Sequence, residues 1–83
     1  MNSRNVMTKT SEFVGQYLNS TDIDPDLDLF TSGMVNSLFA MQLVLFVEKE
    51  FALAVANEDL DYANFKSINA ISEFVGRKLG LAA

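Results

Sequence analysis

With 83 residues, nearly half of them apolar, the chain has enough greasy surface for one small folded domain and too much for a disordered segment. It contains no cysteine and no histidine. That excludes a disulfide framework, thiolate chemistry, the commonest general base and the commonest transition-metal ligand. The formal net charge of -5 is unevenly spread: Asp22, Asp24, Asp26, Asp28, Glu48, Glu50, Glu58, Asp59 and Asp61 share the middle with one base, Lys49. Arg4, Lys9, Lys66, Arg77 and Lys78 lie toward the ends, with Glu12 and Glu73. A negative middle disfavours nucleic acid and favours a basic protein partner. Ordinary solubilising charge is the plainer alternative. The longest apolar run is too short to span a membrane, and the opening MNSRNVMTKTSEF has no signal-peptide core. The expectation is a cytoplasmic protein, one domain over 1–83 with a folded core from about 8 to 80.

In chain order, Met1 to Met7 read as a frayed leader, and Thr8 or Thr10 as the cap of a first helix. Phe13 with Tyr17, and Val14 with Leu18, place apolar side chains on one side of it. Gly15 weakens this helix by about 1 kcal/mol and offers room for a close helix crossing. Asn19-Ser20 ends it. Asn19-Ser20-Thr21 matches a glycosylation acceptor, discounted because nothing points to secretion.

Ser20 to Asn36 is a long loop in which Pro25 forbids a continuous helix. Ile23, Leu27, Leu29, Phe30, Met34 and Val35 should pin it across the other elements, with room for one helical turn at Asp26 to Phe30. Its alternating aspartates suggest a calcium loop, but Leu27 and Gly33 stand where an EF-hand starting at Asp22 needs glycine and glutamate. No metal site is expected.

The strongest helix signal is Ser37 to Phe51. Asn36 and Ser37 are both capping residue types; if Asn36 caps, Ser37 takes the first helical position. The serine hydroxyl then sits at a helix mouth, where free N–H groups and the dipole suit a phosphoester. A serine used only in capping is the alternative. Leu43, Val47 and Phe51 form a core stripe, flanked by Ala40 and Val44, with Leu38 and Met41 bordering it. Phe39, Leu45 and Phe46 fall on other faces, so this helix is either wrapped on most sides or keeps an apolar patch for a partner. Ala52 to Ala56 reads as a connector with Leu53 and Val55 tucked inward. Asn57 is placed to cap a short helix, Glu58 to Tyr62; Phe65 anchors the next turn. Ser67 caps a last helix, Ile68 to Leu79, with Arg77 and Lys78 in its final turn and Gly80 as its stop. The class is all-α, a small four-helix bundle of three longer helices and one short one, with a long first loop.

No catalytic constellation is visible. Ser-His-Asp and Cys-His sets are missing, as is a GxxxxGK phosphate loop.

At Gly33-Met34-Val35-Asn36-Ser37-Leu38 the chain resembles the acyl carrier proteins, which place a serine, usually in Asp-Ser-Leu, at the start of their second helix. Leu29-Phe30, Gln42-Leu43-Val44, Val47-Glu48-Lys49-Glu50-Phe51 and Ile68 to Val75 extend the likeness, so that it covers about Phe13 to Leu79. It implies a carrier, not an enzyme, bearing 4'-phosphopantetheine covalently on Ser37, with Asn36 as the cap beside it. Asn36 departs from the usual aspartate: it can cap, but lacks the charge. The run Asn36 to Glu48 is similar to discrete carriers on which methoxymalonyl, hydroxymalonyl or aminomalonyl extender units are built for polyketides. The partners implied are a phosphopantetheinyl transferase, an acyl-loading or activating enzyme, acyl-carrier-linked dehydrogenases or other tailoring enzymes, and the acyltransferase of a synthase. They would meet a monomer at Leu38, Phe39, Gln42, Leu45, Glu48, Glu50, Glu58 and Asp59. A peptidyl or aminoacyl carrier and an unmodified helical adaptor are the competing readings.

Overall fold

The computed structural model describes residues 3–20, 22–31, 33 and 36–80. The order is α1 (Ser3–Leu18), α2 (Ser37–Phe51), a 3-10 turn (Asn57–Asp59), α3 (Tyr62–Phe65) and α4 (Ile68–Leu79). There is no strand among the described residues. This is a four-helix bundle with one short helix.

The first helix begins at Ser3, several residues before the threonine caps expected from the sequence. Val6, Thr10 and Val14 lie four apart and are fully buried, so the supposed leader carries the first residue of a core stripe. Thr10 is therefore a mid-helix residue, its hydroxyl donating to the Val6 carbonyl at 2.8 Å. At the other end, Asn19 takes a left-handed conformation (φ 54). Ser20 N–H donates to the Gly15 carbonyl at 2.9 Å and Asn19 N–H to that of Gln16 at 3.4 Å. This paired closure satisfies the orphan carbonyls of the last turn. It also explains Gly15: a Cβ there would stand 2.7 Å from the Ser20 carbonyl oxygen. The close approach is to the returning chain, not to another helix.

Helices α1 and α2 run antiparallel. Lys9 reaches Glu50 near the C-terminus of α2, with Nζ 2.9 Å from Oε1, while Tyr17 lies against Phe39 near its N-terminus. Between them Phe13 stacks on Phe46 at 4.2 Å and on Phe39 at 6.0 Å, and Phe46 meets Phe51 edge-on at 5.7 Å. An aromatic column thus joins α1 to nearly the full length of α2. From the other side Leu43, Val47 and Phe51 meet Ile68, Ile71, Phe74 and Val75 of α4 in one continuous core.

The long loop is pinned at defined points. Leu29 is fully buried, and its N–H donates to the Lys66 carbonyl at 2.7 Å. The Pro25 carbonyl accepts from Asn69 N–H at 3.0 Å, and Asp26 Oδ1 accepts from the Asn69 amide at 2.6 Å. The loop therefore takes up orphan donors in the first turn of α4, which Ser67 also caps through Ala70 N–H at 3.0 Å. Asp26 to Phe30 forms turns rather than the helical turn anticipated. The aspartates act within the chain. Asp24 Oδ1 accepts from Asp26 N–H, and Asp28 Oδ1 from Phe30 and Thr31 N–H. Short carboxylates folded back on their own backbone are turn formers. Met34, Val35 and Thr21, the last completing the glycosylation pattern, lie outside the described residues.

After α2 the chain turns at Ala52 in a left-handed conformation (φ 52). Leu53 and Val55 pack inward against the core. The expected single helix from Glu58 to Tyr62 is replaced by two pieces, because Leu60 and Asp61 leave helical geometry between them. Asn57 is not the cap. Asp59 Oδ2 reaches back to accept from Ala56 N–H, and Asp61 Oδ1 caps α3 through Ala63 N–H. Gly80 closes α4 as expected, its N–H donating to Arg77.

Candidate functional site

Asn36 sits just outside α2 in extended backbone (φ -132, ψ -173), and its side-chain oxygen accepts from Phe39 N–H at 3.1 Å. Its carbonyl accepts from Ala40 N–H at 3.1 Å. Asn36 is thus the cap, and Ser37 is the first helical residue. The hydroxyl of Ser37 is not the capping acceptor for Phe39, and the residue is exposed.

What turns Ser37 outward is the residue two positions on. Phe39 is fully buried, held between Tyr17 and Phe13. Two residues correspond to about 200° around a helix, so burying Phe39 sends Ser37 to the opposite side. The same residue gives its N–H to the Asn36 cap. Cap, anchor and hydroxyl are therefore locked in phase by local geometry.

The other partner-facing residues named from sequence separate into distinct groups. Leu38, Gln42 and Leu45 are exposed on α2. Phe39 is not: its ring belongs to the core, and it has no surface to offer a partner. Phe46 is half-buried against Phe13. Met41, placed beside the core in the sequence reading, is 66% exposed. The signal for that was present, since Leu38, Met41 and Leu45 are spaced three and four apart, opposite the Leu43 and Val47 stripe.

Three of the four acids named for partners, Glu48, Glu50 and Asp59, are bound within the chain. Glu48 Oε2 accepts from Val55 N–H at 2.9 Å and ties the connector to α2. Glu50 pairs with Lys9, and Asp59 pairs with Lys78 at 2.7 Å. The Lys78 bond and the Ala56 N–H hold the Asp59 carboxyl below its usual range. Asp28, on the loop leading to the site, is likewise lowered, by the N–H groups of Thr31 and Phe30. Glu58 is exposed.

A hydroxyl at the first position of a long helix, uncommitted to capping, suits a phosphodiester. The positive end of the α2 dipole favours its negative charge, as does any first-turn N–H group not taken up by Asn36. Because Asn36 caps without a charge, it does not repel the anion. The chain's own residues thus fit a phosphopantetheine arm. A groove of about 500 Å³ lies elsewhere, between α1 and the loop, lined by Gly15, Gln16, Asn19, Ile23 and Ile68 among others and by no residue of α2. Among the described residues no helix is long and apolar enough to cross a membrane.

Comparison with known proteins agrees with this geometry. The phosphopantetheine attachment site family matches residues 10–75. The chain is also similar to probable polyketide synthase 10 of Dictyostelium discoideum, 34% identical over 73 residues. That alignment takes in 88% of this chain but only 3% of the relative, so the likeness concerns one small region of a far longer protein. The match across most of the folded bundle shows that the chain belongs to the phosphopantetheine-binding acyl carrier family, as a carrier domain rather than a catalytic one.

Proposed function

We propose that Ser37 is the attachment residue and that the chain carries a modified malonyl extender unit for polyketide assembly. The observation that carries the first part is the division of labour at the head of α2: Asn36 caps, Phe39 anchors, and Ser37 is left exposed. When bound, the arm supplies a terminal thiol on which an acyl group rides as a thioester, a group this cysteine-free chain lacks. The chain's contribution is to present one hydroxyl, to stabilise the phosphodiester charge at the helix mouth, and to give enzymes a rigid handle. Those enzymes are a phosphopantetheinyl transferase, an activating enzyme, dehydrogenases or other tailoring enzymes, and an acyltransferase. Contacts with each should be weak and short-lived, since one carrier serves several.

The extender-unit part is supported by the run Asn36 to Glu48, which resembles discrete carriers of that type, and by similarity to a polyketide synthase. Incubation with coenzyme A and a phosphopantetheinyl transferase tests the attachment. Intact-mass analysis should show a gain of one phosphopantetheine, and Ser37→Ala should abolish it. An unchanged wild-type mass with several competent transferases would favour the adaptor reading. Mass spectrometry of the protein purified from its native host should then reveal an oxygen- or nitrogen-substituted malonyl thioester; an aminoacyl group would reassign the cargo.

A further inference from the structure

Between Asn36 and Gln42, Phe39 is the only fully buried residue, and Ser37 lies two positions before it. The next buried residue, Leu43, comes about one turn later. The head of α2 is thus held to the bundle by a single large side chain. Helix ends fray where nothing outside the helix holds them. The cap adds two bonds, from Phe39 N–H to the Asn36 side chain and from Ala40 N–H to its carbonyl, both 3.1 Å. Both bonds lie in the turn that Phe39 anchors, so they open when that anchor lifts.

Phe39 has two ring neighbours, and they differ in what else they hold. Phe13 is 6.0 Å from Phe39 but 4.2 Å from Phe46, so it serves mainly the middle of α2. Tyr17 is 4.3 Å from Phe39, at an interplanar angle of 52°, and meets no other ring among the described residues. It stands in the last turn of α1, which closes just beyond it at Asn19 and through Ser20 N–H on the Gly15 carbonyl. With 42% of its surface exposed, Tyr17 adds less to the common core than a buried residue does. Its contact with Phe39 therefore acts locally, on the ring two residues from Ser37.

We infer that Tyr17 is a positioning residue for attachment at Ser37: by covering Phe39 it keeps the first turn of α2 wound and the serine hydroxyl in one place. This rests on the reading of Ser37 as the attachment residue. Tyr17 acts through Phe39, not by contact with the reacting atoms. A serine on an unwound turn presents its hydroxyl in many directions, and a transferase must then order the turn before reaction. Only the wound fraction of the chain is ready to bind, so the apparent affinity falls with that fraction. Spacing in α1 puts Phe13 and Tyr17 on one side; the antiparallel course of α1 and α2 is what brings Tyr17 to the head of α2.

Hydrogen exchange on the full, unmodified chain reads the turn directly. In Tyr17→Ala the Phe39 and Ala40 amides should exchange at least about tenfold faster than in wild type, and those of Val44 to Val47 less than about threefold faster. In steady-state phosphopantetheinylation, followed by intact mass with coenzyme A saturating and the carrier varied, the same variant should raise KM by at least about threefold with kcat within about twofold. Tyr17→Phe keeps the ring and should match wild type within about twofold in both measurements. Leu79→Ala removes a side chain packed on the core from the last residue of α4; it should lower the urea midpoint yet leave KM within about twofold. The inference is overturned if Tyr17→Ala leaves Phe39 and Ala40 exchange within about twofold of wild type; a raised KM would then mean that Tyr17 touches the transferase itself. Faster exchange with an unchanged KM overturns it too, as does a Leu79→Ala variant whose KM rises as far, because general instability would explain both. A wild type that gains no mass would instead remove the attachment reading, and this inference with it.

Discussion

Gly15 and Ala52 show how single residues set the ends of helices here. Both sit at closures where the chain reverses on itself, yet for different reasons. Ala52 adopts a left-handed conformation that an alanine tolerates at some cost. Gly15 has ordinary helical backbone but no room for a side chain. Replacing Gly15 with alanine should gain about 1 kcal/mol of helix propensity. The methyl group, 2.7 Å from a backbone carbonyl that cannot swing away, should cost more than that gain. The expected result is a net loss of about 1–2 kcal/mol, seen as a melting temperature lower by at least about 4 °C. A variant that melts at or above the wild-type temperature would show that the Ser20 turn yields easily. In the sequence Gly15 is visible only as a weak spot in a helix. What it accommodates comes from a carbonyl five residues later, which periodicity does not place.

At the scale of elements, the connections are held by side chains that bond backbone. Glu48 fastens the connector after α2, Asn69 fastens the first loop to α4, and Asp59 ties the 3-10 turn to the end of α4 through Lys78. The last of these has a pH signature. Bonds from Lys78 and the Ala56 N–H lower the Asp59 carboxyl below its reference value of 3.8 in the folded state. A group lowered on folding stabilises the fold above its unfolded pKa and loses that contribution as pH falls through the folded one. The urea midpoint of the wild type should therefore drop as pH falls below about 4, with Asp28 adding to the same limb. Asp59→Asn keeps an acceptor for Ala56 but loses the charge. It should lower the midpoint at neutral pH and flatten the acid limb. Parallel pH curves for the two proteins would show that Asp59 has no such role. The sequence reading recognised the acids as a set, for partners or for solubility, but net charge says nothing about which carboxylate is also bound within the chain.

For the whole molecule, stability rests on one core shared by all four helices, and Phe39 stands where the proposed carrier site and that core meet. It is fully buried, joins α1 to α2 through Tyr17 and Phe13, and directs Ser37 outward. Phe39→Ala should cost about 3–5 kcal/mol, a large part of the total expected for a domain this small. Phe39→Leu should cost about 1 kcal/mol and leave phosphopantetheinylation near wild type. Urea denaturation with intact-mass assay of the folded fraction checks both. An alanine variant as stable as wild type would mean that the aromatic column is not a structural tie.

The sequence by itself determined the helical class, the α2 and α4 boundaries, the cap at Ser67, and a choice of Asn36 or Ser37 as the α2 cap, which the structure settles on Asn36. Each of these is written in neighbouring residues: apolar spacing of three and four, a capping side chain, a glycine stop. Tertiary structure alone decided which apolar faces are covered. Val6 was read as leader, and Phe39 was left between a wrapped helix and a partner's patch, yet both are fully buried. Helix periodicity orders residues around an axis but does not say how many neighbours surround that axis. In α2, apolar on nearly every side, only the arrival of α1 on one flank and α4 on another leaves Leu38, Met41 and Leu45 in water beside the serine.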